Sequence, residues 1–530
     1  MYVAAVVMVH AVRSVSVVLV VLALLLGVRV VVVGPFSWVL ASPAGVEVGF
    51  RFDVLSVLLL GFVAGVVVLV ASYSIRNLAG RGGAAHFGWL LLGALASLVV
   101  MLLGASLPVV ALGWTSSGLA LAALVSHAHT TAARRAGGYV RRRLLLGDVA
   151  VWAAVGAGLV LLPTLNRSEL PTAELPLWPT LAVAGLLVLG CLVRSALFPA
   201  QSWLVETAEA PSPVSALLHA GMVNGAGVMV CLFWALFAAA PGALLALLLL
   251  GAASVIVGAL TLSFRTDVKG RLAGSTTTQM GYMAVQLGIG LPAAAVAHLI
   301  GHGCYKAWLF LRAGGAVTRA RREPATVPSA GPARDLPGHA GSPQRPRRHD
   351  QVLVVAATVL AAGGALPAVV IAVGSLGPAA LLPTSAALAT LVVALRAAAR
   401  PRTVDTAPAG FGSLSVLGGA GAAAVTVYAW ALVAFESGLA PSMPLVPLWS
   451  NPIGVVLLAG TAAVAVVVAV LLRRVHADPT GRLSLRLTLS ALPPWSRRLG
   501  ISAKSPVAPP STGAGSVNGY IHPDPTHNHI

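Results

Sequence analysis

The amino-acid sequence predicts an all-α, polytopic membrane protein of about fourteen transmembrane helices. Hydrophobic residues make up 58% of its 530 residues and charged residues only 9%, whereas a soluble globular domain carries about 25% charged residues. Apolar runs long enough to cross a bilayer recur along the chain. These runs lack the alternation of polar and apolar residues that a membrane-spanning β-barrel requires, so the predicted spans are helices.

The predicted spans follow these apolar runs in order. The N-terminal segment is apolar almost from Met1, and no small-residue cleavage site follows it. It is therefore predicted to be a retained helix and not a removable signal. A short segment, 200–210, links the sixth and seventh spans. The predicted spans are 14–33, 54–73, 86–104, 106–125, 146–163, 177–198, 213–237, 242–263, 272–290, 291–312, 351–373, 376–397, 415–435 and 452–472.

The basic residues predict the orientation of these spans. The net charge is +19, and nearly all the arginines lie in short loops or in the C-terminal tail. When the spans alternate in direction, every strongly basic loop falls on one side, which the positive-inside rule assigns to the cytoplasm. We therefore expect a multi-pass protein of the cell membrane with both termini in the cytoplasm, and no nucleic-acid partner.

Composition divides the chain into five segments. N-terminal transmembrane helices (1–85) precede a central membrane core (86–315). The next segment, 316–350, is rich in Pro, Gly, Ala and Arg and is typical of a flexible cytoplasmic loop. C-terminal transmembrane helices (351–475) follow, and the last segment (476–530) is polar enough to predict a disordered cytoplasmic tail.

The sixth span carries a charge next to a helix-breaking residue. Arg194 precedes Pro199, and proline removes a backbone donor and clashes with the preceding turn. The helix is therefore predicted to break there and to continue as a short piece through Trp203. Broken helices in lipid occur where they line a cavity or pack against protein. Arg194 is either an ion station at this break or a side chain that snorkels to a membrane surface.

Ionisable residues continue into the linker and the seventh span. Glu206 and Glu209 lie in the linker, where they either couple ion movement to a partner or are interfacial carboxylates in contact with water. His219 lies inside the seventh span among small residues, which allow helices to approach closely. Its imidazole either relays protons near neutral pH or bonds to a neighbouring helix.

The tenth span holds three ionisable residues on one face. His298, His302 and Lys306 follow one another at intervals of four residues, which is about one helical turn. Ionisable groups are costly at bilayer depth and indicate function by default, and a buried lysine can accept and release a proton. The two histidines lack carboxylate or thiolate partners in the sequence pattern, and the cysteines lack metal-ligand spacing. We predict neither a metal site nor a cofactor.

These segments together resemble the antiporter-type subunits of respiratory complex I and of multisubunit cation/proton antiporters. The resemblance covers roughly residues 50–315. The matching segments are Arg51, Asp53, Leu55 and Ser56; Arg194–Ala196 with Pro199, Trp203 and Leu204; Pro211–Ala220; Asp267–Lys269; Ser275 and Thr276; Gln279–Met283; and His298, His302 and Lys306 with Phe310, Leu311 and Gly314.

The resemblance implies a fold of antiporter-like inverted five-helix repeats, each with a broken helix, and ion translocation through a chain of buried residues. By the same resemblance, Arg194 takes the place of the broken-helix lysine. Lys306 matches the central relay lysine, and His298 and His302 match the histidines before it. Asp267 and Lys269 fall in a matching motif before the ninth span and are further candidates for coupling.

The sequence departs from the family pattern at two places. The family's antiporters carry a buried Glu immediately after the Trp of an early helix, but here Trp114 is followed by Thr115. Beyond residue 350 no lysine lies in any predicted span, and Glu436, directly after the span 415–435, is the only acid at membrane depth. The second charged station of the family is therefore not evident.

Within the family, the sequence is most similar to the membrane subunits of DAB-type inorganic carbon accumulation complexes. That branch implies a large, soluble, zinc-containing partner that resembles a carbonic anhydrase. A cation gradient passing through the membrane subunit would drive one-way conversion of CO2 to bicarbonate, with the zinc held by the partner. The supporting residues are Tyr73 and Ser74, Asn77–Gly80, Trp114 with Ser117–Leu119, the run 134–143 before Leu146–Asp148, and His219–Asn224.

Three functions fit these observations. The leading one is a membrane subunit that passes H+ or Na+ inward and energises a carbon-uptake partner, a transporter subunit and not an enzyme by itself. The second is an antiporter-like subunit of an NADH-quinone oxidoreductase or of a multisubunit cation/proton antiporter. The third is a membrane anchor that does not conduct ions, which the loss of the Glu at position 115 favours.

Overall fold

The computed structural model of the protein describes most of the first 322 residues. The predicted C-terminal helices (351–475) and tail (476–530) lie outside the described residues, as does most of the predicted loop 316–350. The described residues are 2–77, 83–128, 130–207, 210–264 and 268–322.

The described part of the chain is built from helices joined by short connections, with one β-hairpin. The helices are α1 (Tyr2–Val33), α2 (Val54–Asn77), α3 (Ala84–Leu103), α4 (Leu107–Ser126), α5 (Thr131–Leu161), α6 (Leu177–Arg194), α7 (Ser202–Glu206), α8 (Ser212–Ala220), α9 (Gly225–Leu232), α10 (Trp234–Ala238), α11 (Pro241–Phe264), α12 (Val268–Gly288) and α13 (Pro292–Arg322). The strands are β1 (Phe36–Ala41) and β2 (Val48–Phe52), and single 3-10 turns cover Pro43–Gly45 and Met222–Asn224.

The predicted helical membrane fold is confirmed. Within the described residues, eight stretches are long and apolar enough to cross a membrane, counting α8 and α9 as one broken span. The remaining spans of the predicted set of about fourteen fall partly outside the described part.

Helix α5 is much longer than the predicted span 146–163. It begins at Thr131, and the Thr130 hydroxyl caps it by accepting a hydrogen bond from the Ala133 amide at 3.0 Å. The prediction that the arginine run 134–143 is a loop was therefore wrong. In the added segment, small and apolar residues recur about once per helical turn and are buried on one face of the helix. The arginines point away from that face, which is typical of an amphipathic helix. The buried residues of the added segment are Ala133, Ala136, Gly137, Val140 and Leu144.

Helix α13 also passes its predicted boundary. The predicted span ended at residue 312, but the helix continues to Arg322. The helix continues through the pair Gly314 and Gly315, and no proline interrupts residues 312–322, so the backbone has no strong reason to stop at the start of the predicted loop.

The β-hairpin is the one described element that the sequence did not predict. Strands β1 and β2 pair antiparallel between α1 and α2, with Phe36 opposite Phe52. The two aromatic rings stack with their centroids 4.7 Å apart, a cross-strand contact that stabilises the pair. Both strands are short and lie between long apolar runs, so the apolar pattern of the sequence did not distinguish them.

The hairpin covers one face of the helix assembly, which we call the hairpin face. The Ala105 amide, just after α3, donates to the Gly49 carbonyl at 3.0 Å, and the Arg167 amide, after α5, donates to Ala105 at 2.9 Å. The ends of α1, α3 and α5 thus meet on the same face. This agrees with helices that alternate in direction, while the side of the membrane that this face occupies stays a prediction.

Arg167 fastens the hairpin face. Its guanidinium donates to the Asp53 carboxylate at 2.7 Å, to the Gly104 carbonyl at 3.0 Å and to the Leu232 carbonyl at 3.4 Å. Burial lowers the pKa of Arg167 from its ordinary value, and the Asp53 carboxylate opposes that shift. Because arginine keeps its proton at all physiological pH values, this cluster is a permanent ionic clamp between α2, α3 and α9.

The broken span α8–α9 lies at the centre of the assembly. The apolar stretch of this span, Ser212–Leu232, is completely buried, whereas only 39% of the corresponding stretch of α11 is buried. Surrounding helices contact it from several sides, namely α2, α4, α6, α12 and α13. A polar group on this span therefore faces protein and not lipid.

Candidate functional site

The sixth span breaks where its charged residue lies. Helix α6 ends at Arg194, and the chain resumes helical structure only at Ser202. The predicted break is confirmed, although it comes before Pro199 and not at it. The Trp203 indole in α7 donates to the Val193 carbonyl at 2.8 Å, which holds the short piece against the end of α6.

Ser195 ties this break to the break in the central span. Its hydroxyl donates to the Val223 carbonyl at 2.7 Å and accepts from the Ala226 amide at 2.9 Å. Backbone groups freed by a helix break need such partners when no water reaches them. The two interrupted helices are therefore locked together at their breaks.

Arg194 is buried between the helices and forms an ion pair. Its side chain is 3% exposed, and its Nη2 lies 3.6 Å from Oδ1 of Asp148. The guanidinium also donates to the Trp114 carbonyl and lies over the Trp114 ring at 4.6 Å from its centroid. Of the two interpretations of Arg194, the structure matches a buried station and not a side chain reaching a surface.

Asp148 is a candidate site residue that sequence analysis did not select. It is 3% exposed, and its Oδ1 accepts a hydrogen bond from the Trp114 indole at 2.8 Å. Because the fifth span was predicted to begin at residue 146, Asp148 was placed near a membrane surface. The longer helix α5 puts it in mid-helix, where it is the only acid between Thr131 and Leu161. A lone acid inside an apolar helix was the signal that could have found it.

A carboxylate therefore lies beside Trp114, but it comes from the facing helix α5. Thr115 faces α5, since its hydroxyl accepts a hydrogen bond from the Trp152 indole at 3.0 Å. Trp152 lies one helical turn from Asp148 on that helix. The acid is therefore present at the interface of α4 and α5, but on the α5 side.

Glycines make room for the arginine. A Cβ added at Gly118 in α4 would lie 2.9 Å from Nη1 of Arg194. A Cβ added at Gly225, the first residue of α9, would collide with the Arg194 side chain and approach the Trp114 ring to 3.1 Å. Arg194 therefore packs directly against the start of α9. We call Arg194, Asp148 and Trp114 the arginine cluster.

A second buried cluster lies on the other side of the central break. Lys306 in α13 is 1% exposed, and its Nζ donates to the Leu272 carbonyl at 3.0 Å. His219 at the end of α8 is 2% exposed, and its Nδ1 shares a hydrogen bond of 3.0 Å with the Thr276 hydroxyl. The His219 ring stacks on Phe310 with centroids 4.3 Å apart. Both α8 and α12 thus present polar groups to α13.

The tenth-span histidines continue this cluster along α13. The rings of His298 and His302 stack with centroids 5.9 Å apart, and the His298 ring lies 5.3 Å from that of Tyr282. His302 is buried and His298 is half-buried. The structure therefore brings together four of the predicted site residues, which we call the lysine cluster: His219, His298, His302 and Lys306.

The break in the central span separates the two clusters. Helix α8 ends at Ala220, next to His219, and α9 begins at Gly225, against Arg194. Asn224 lies between them, and its amide nitrogen donates to the Ala220 carbonyl at 2.7 Å. Oδ1 of Asn224 is buried and has no partner within the described residues. Polar, interrupted backbone therefore lies between the arginine cluster and the lysine cluster.

Of the predicted coupling residues, only Glu206 has a described side chain, and it lies outside both clusters. Glu206 ends α7 and is exposed. Glu209 and Asp267 lie outside the described residues, and Lys269 belongs to α12 with a side chain that is not described. Their coupling role stays a prediction.

The described residues contain no group of three or more His, Cys, Asp and Glu side chains able to hold a metal ion. In the lysine cluster the partners are carbonyl, hydroxyl and aromatic groups. The histidine imidazoles of this cluster can hold and pass a proton, and the carbonyl and hydroxyl groups can position water.

A family model matches the part of the chain that holds both clusters. Residues 104–327 match the family described as NADH:quinone oxidoreductase/Mrp antiporter, TM. We call this matched segment, residues 104–327, the antiporter domain after that description. This antiporter domain contains every member of the arginine cluster and of the lysine cluster.

Curated relatives match somewhat more than half of the chain. The chain is 33% identical over 320 residues to the probable inorganic carbon transporter subunit DabB1 of Halothiobacillus neapolitanus, covering 57% of this chain and 57% of the relative. It is 32% identical over 304 residues to the NADH-quinone oxidoreductase subunit L of Mycobacterium tuberculosis, covering 53% of this chain and 46% of the relative. The chain thus spans about half the length of the curated relatives it matches.

A solved structure is similar in fold to this chain. The Mrp complex from Dietzia sp. DQ12-45-1b matches with a TM-score of 0.55 and 22% identity, covering 95% of this chain and 60% of that chain. At this identity the match bears on the fold alone. The predicted antiporter-like helical fold around the antiporter domain is confirmed.

Proposed function

We propose that the chain is the cation-translocating membrane subunit of an inorganic carbon uptake complex. It passes H+ or Na+ across the bilayer through the arginine cluster and the lysine cluster. The cation flow energises a zinc-containing, carbonic anhydrase-like partner that converts CO2 to bicarbonate.

The observation that carries the proposal is the pair of buried clusters on either side of one helix break. Two cations, Arg194 and Lys306, are almost completely buried in a chain with few charged residues. Charges in membrane helices are expensive and mark ion paths by default. Broken helices line such paths because their free backbone groups replace the hydration shell of the ion.

The buried Asp148 argues against a non-conducting anchor. That alternative depended on the absence of an acid after Trp114, but the Asp148 carboxylate reaches both the Trp114 indole and Arg194. A scaffold gains nothing from a buried ion pair, because apolar residues of the same volume stabilise a fold equally well or better.

The curated relatives, and the two places where the sequence departs from the antiporter family pattern, support carbon uptake over respiration. Several relatives with matches of 32% to 44% identity are named as probable inorganic carbon transporter subunits. The second candidate function is an antiporter-like subunit of an NADH-quinone oxidoreductase, which the subunit L relatives favour.

Growth of a carbonic anhydrase-deficient bacterial host tests the proposal. The chain, expressed with the genes that neighbour its own, should restore growth in air, whereas Lys306→Ala should not. Lys306→Ala must assemble to the wild-type level in the membrane for this comparison. A matched control is Cys304→Ala, whose side chain is exposed two residues away.

Two outcomes would contradict the proposal. Normal growth of the Lys306→Ala strain in air, at wild-type protein levels, would show that Lys306 is not part of an ion relay. Failure of the wild-type genes to restore growth, together with quinone reductase activity in the purified complex, would replace carbon uptake with the second candidate.

A further inference from the structure

Gln286 near the end of α12 is buried without a partner. Its side chain is 0% exposed. Within the described residues, neither its Oε1 nor its Nε2 makes a hydrogen bond. An amide that loses water and gains no partner costs several kcal/mol in an apolar medium (roughly 2–7). Native structures leave few such groups unsatisfied, and ordered water is their usual partner.

The position of Gln286 on α12 directs it towards the lysine cluster. A helix turns about 100° per residue, so Gln286 projects between the directions of Tyr282 and Met283. The Tyr282 ring contacts the His298 ring in α13. The Met283 sulfur faces α9, since a Cβ added at Gly227 would lie 2.7 Å from it. Gln286 therefore faces the seam between α13 and α9.

The histidines of the same seam share this lack of partners. Nε2 of His298 and Nε2 of His302 are buried and have no hydrogen-bond partner within the described residues. These two atoms and the Gln286 amide follow one another along neighbouring faces of α12 and α13. Four buried polar atoms without partners along one seam are more than isolated packing defects would produce.

The seam leads towards a cavity on the hairpin face. Helix α12 ends two residues after Gln286, and α13 begins at Pro292. The Cys231 thiol lies 3.8 Å from the Pro292 carbonyl. Cys231 also lines a cavity of about 450 Å³ that Arg51 and Arg167 border. Gln286 thus lies between this cavity and the histidines.

We propose that the Gln286 amide and the two histidine Nε2 atoms line a buried hydrated site that extends the lysine cluster towards the hairpin face. Its ligand is a short file of water molecules. Gln286 can donate and accept at once, so it orients water without holding a charge. The inference deepens the proposed translocation function, and it rests on that function only for what the water would carry.

Silver-ion labelling of a cysteine at position 286 tests the site. All native cysteines are first replaced by alanine in the full chain, and Gln286→Cys is then made in reconstituted vesicles. Ala284→Cys is the matched control, because Ala284 is equally buried but lies against Gly251 of α11. The readout is protection of the thiol from a fluorescent maleimide added after denaturation.

We expect Ag+ to react with the Gln286→Cys thiol roughly tenfold faster or more than with the Ala284→Cys thiol, since a dry buried thiol reacts only during local opening. The faster reaction should occur when Ag+ is added from the hairpin face. Equal, slow reaction of both thiols would overturn the proposal.

The variant Gln286→Met gives a second readout that needs no cysteine. In a dry site, removing an unpaired amide stabilises the protein, so the melting temperature would rise and the hydrated site would be refuted. In a hydrated site, the thioether expels water that the His298 and His302 nitrogens need, so we expect the melting temperature to fall.

Neither readout measures transport, so the two proposals fail separately. Fast labelling at position 286 together with normal ion flux in Lys306→Ala would support the hydrated site and contradict the proposed function. Slow labelling at 286 with no flux in Lys306→Ala would keep the function and remove the hydrated site.

Discussion

The arginine cluster and the lysine cluster hold their buried cations in different ways. Arg194 faces a carboxylate, Asp148, at 3.6 Å. Lys306 instead donates to the Leu272 carbonyl, with His302 and His219 as neighbours of the same cluster. Arginine stays protonated in proteins, whereas a buried lysine exchanges its proton. The comparison teaches that one cluster is a fixed ion pair and the other is a site whose charge can change.

Asp148→Asn should have the largest effect, because it breaks the ion pair and leaves Arg194 buried without its counter-charge. Removing one partner of a buried pair costs about 3–5 kcal/mol. We therefore expect a large drop in melting temperature and loss of ion flux. Thermal unfolding of the purified protein and a pH-sensitive dye in proteoliposomes measure the two effects.

The double variant Asp148→Leu/Arg194→Leu is the control for this prediction. Removal of both charges should recover most of the stability and none of the flux. If Asp148→Asn kept the melting temperature and flux of the wild type, the fixed-pair description of the arginine cluster would be wrong.

A carboxylate restored on α4 should partly replace Asp148. The Thr115 side chain faces α5, because its hydroxyl accepts a hydrogen bond from the Trp152 indole. Trp152 lies one helical turn from Asp148 on that helix. We expect Thr115→Glu in the Asp148→Asn background to recover roughly a tenth or more of the wild-type flux, since close opposite charges outweigh most other terms in a buried site. Thr115→Gln is the neutral control, and equal flux in the two variants would show that position 115 does not reach Arg194.

Gly118→Ala should have the smallest effect of these changes. The new methyl group would lie 2.9 Å from Nη1 of Arg194, so the guanidinium must move by a few tenths of an ångström from Asp148. We expect flux to fall a few-fold with little change in melting temperature. Gly156→Ala is the control, because nothing lies within 4 Å of a Cβ at that position. Equal flux in both variants would show that the arginine geometry is not critical.

Much of the membrane fold could be predicted because the bilayer imposes it. Span length and apolar composition follow from the thickness of the membrane, and helices α2, α3 and α4 begin and end within a few residues of the predicted bounds. The break after Arg194 followed from Pro199, and the common face of His298, His302 and Lys306 followed from helical periodicity.

Features that depend on packing between helices were missed. The arginine run of α5 forms a helix because Ala136, Val140 and Leu144 pack against neighbours, and charge alone disguised that pattern. Asp148 could not be paired with Arg194, since nothing in the sequence shows which faces of α5 and α6 meet. The hairpin was not predicted because its residues, such as Phe36 and Phe52, are as apolar as the helices beside them.

The central claim is that both clusters belong to one ion path. Flux through the full chain in proteoliposomes, under an imposed membrane potential, tests it most directly with two variants, Lys306→Met and Asp148→Leu/Arg194→Leu. If the path is single, each variant alone brings the flux to the level of protein-free vesicles. Substantial flux remaining in either variant, at equal protein incorporation, would show that the clusters act independently and would contradict the account.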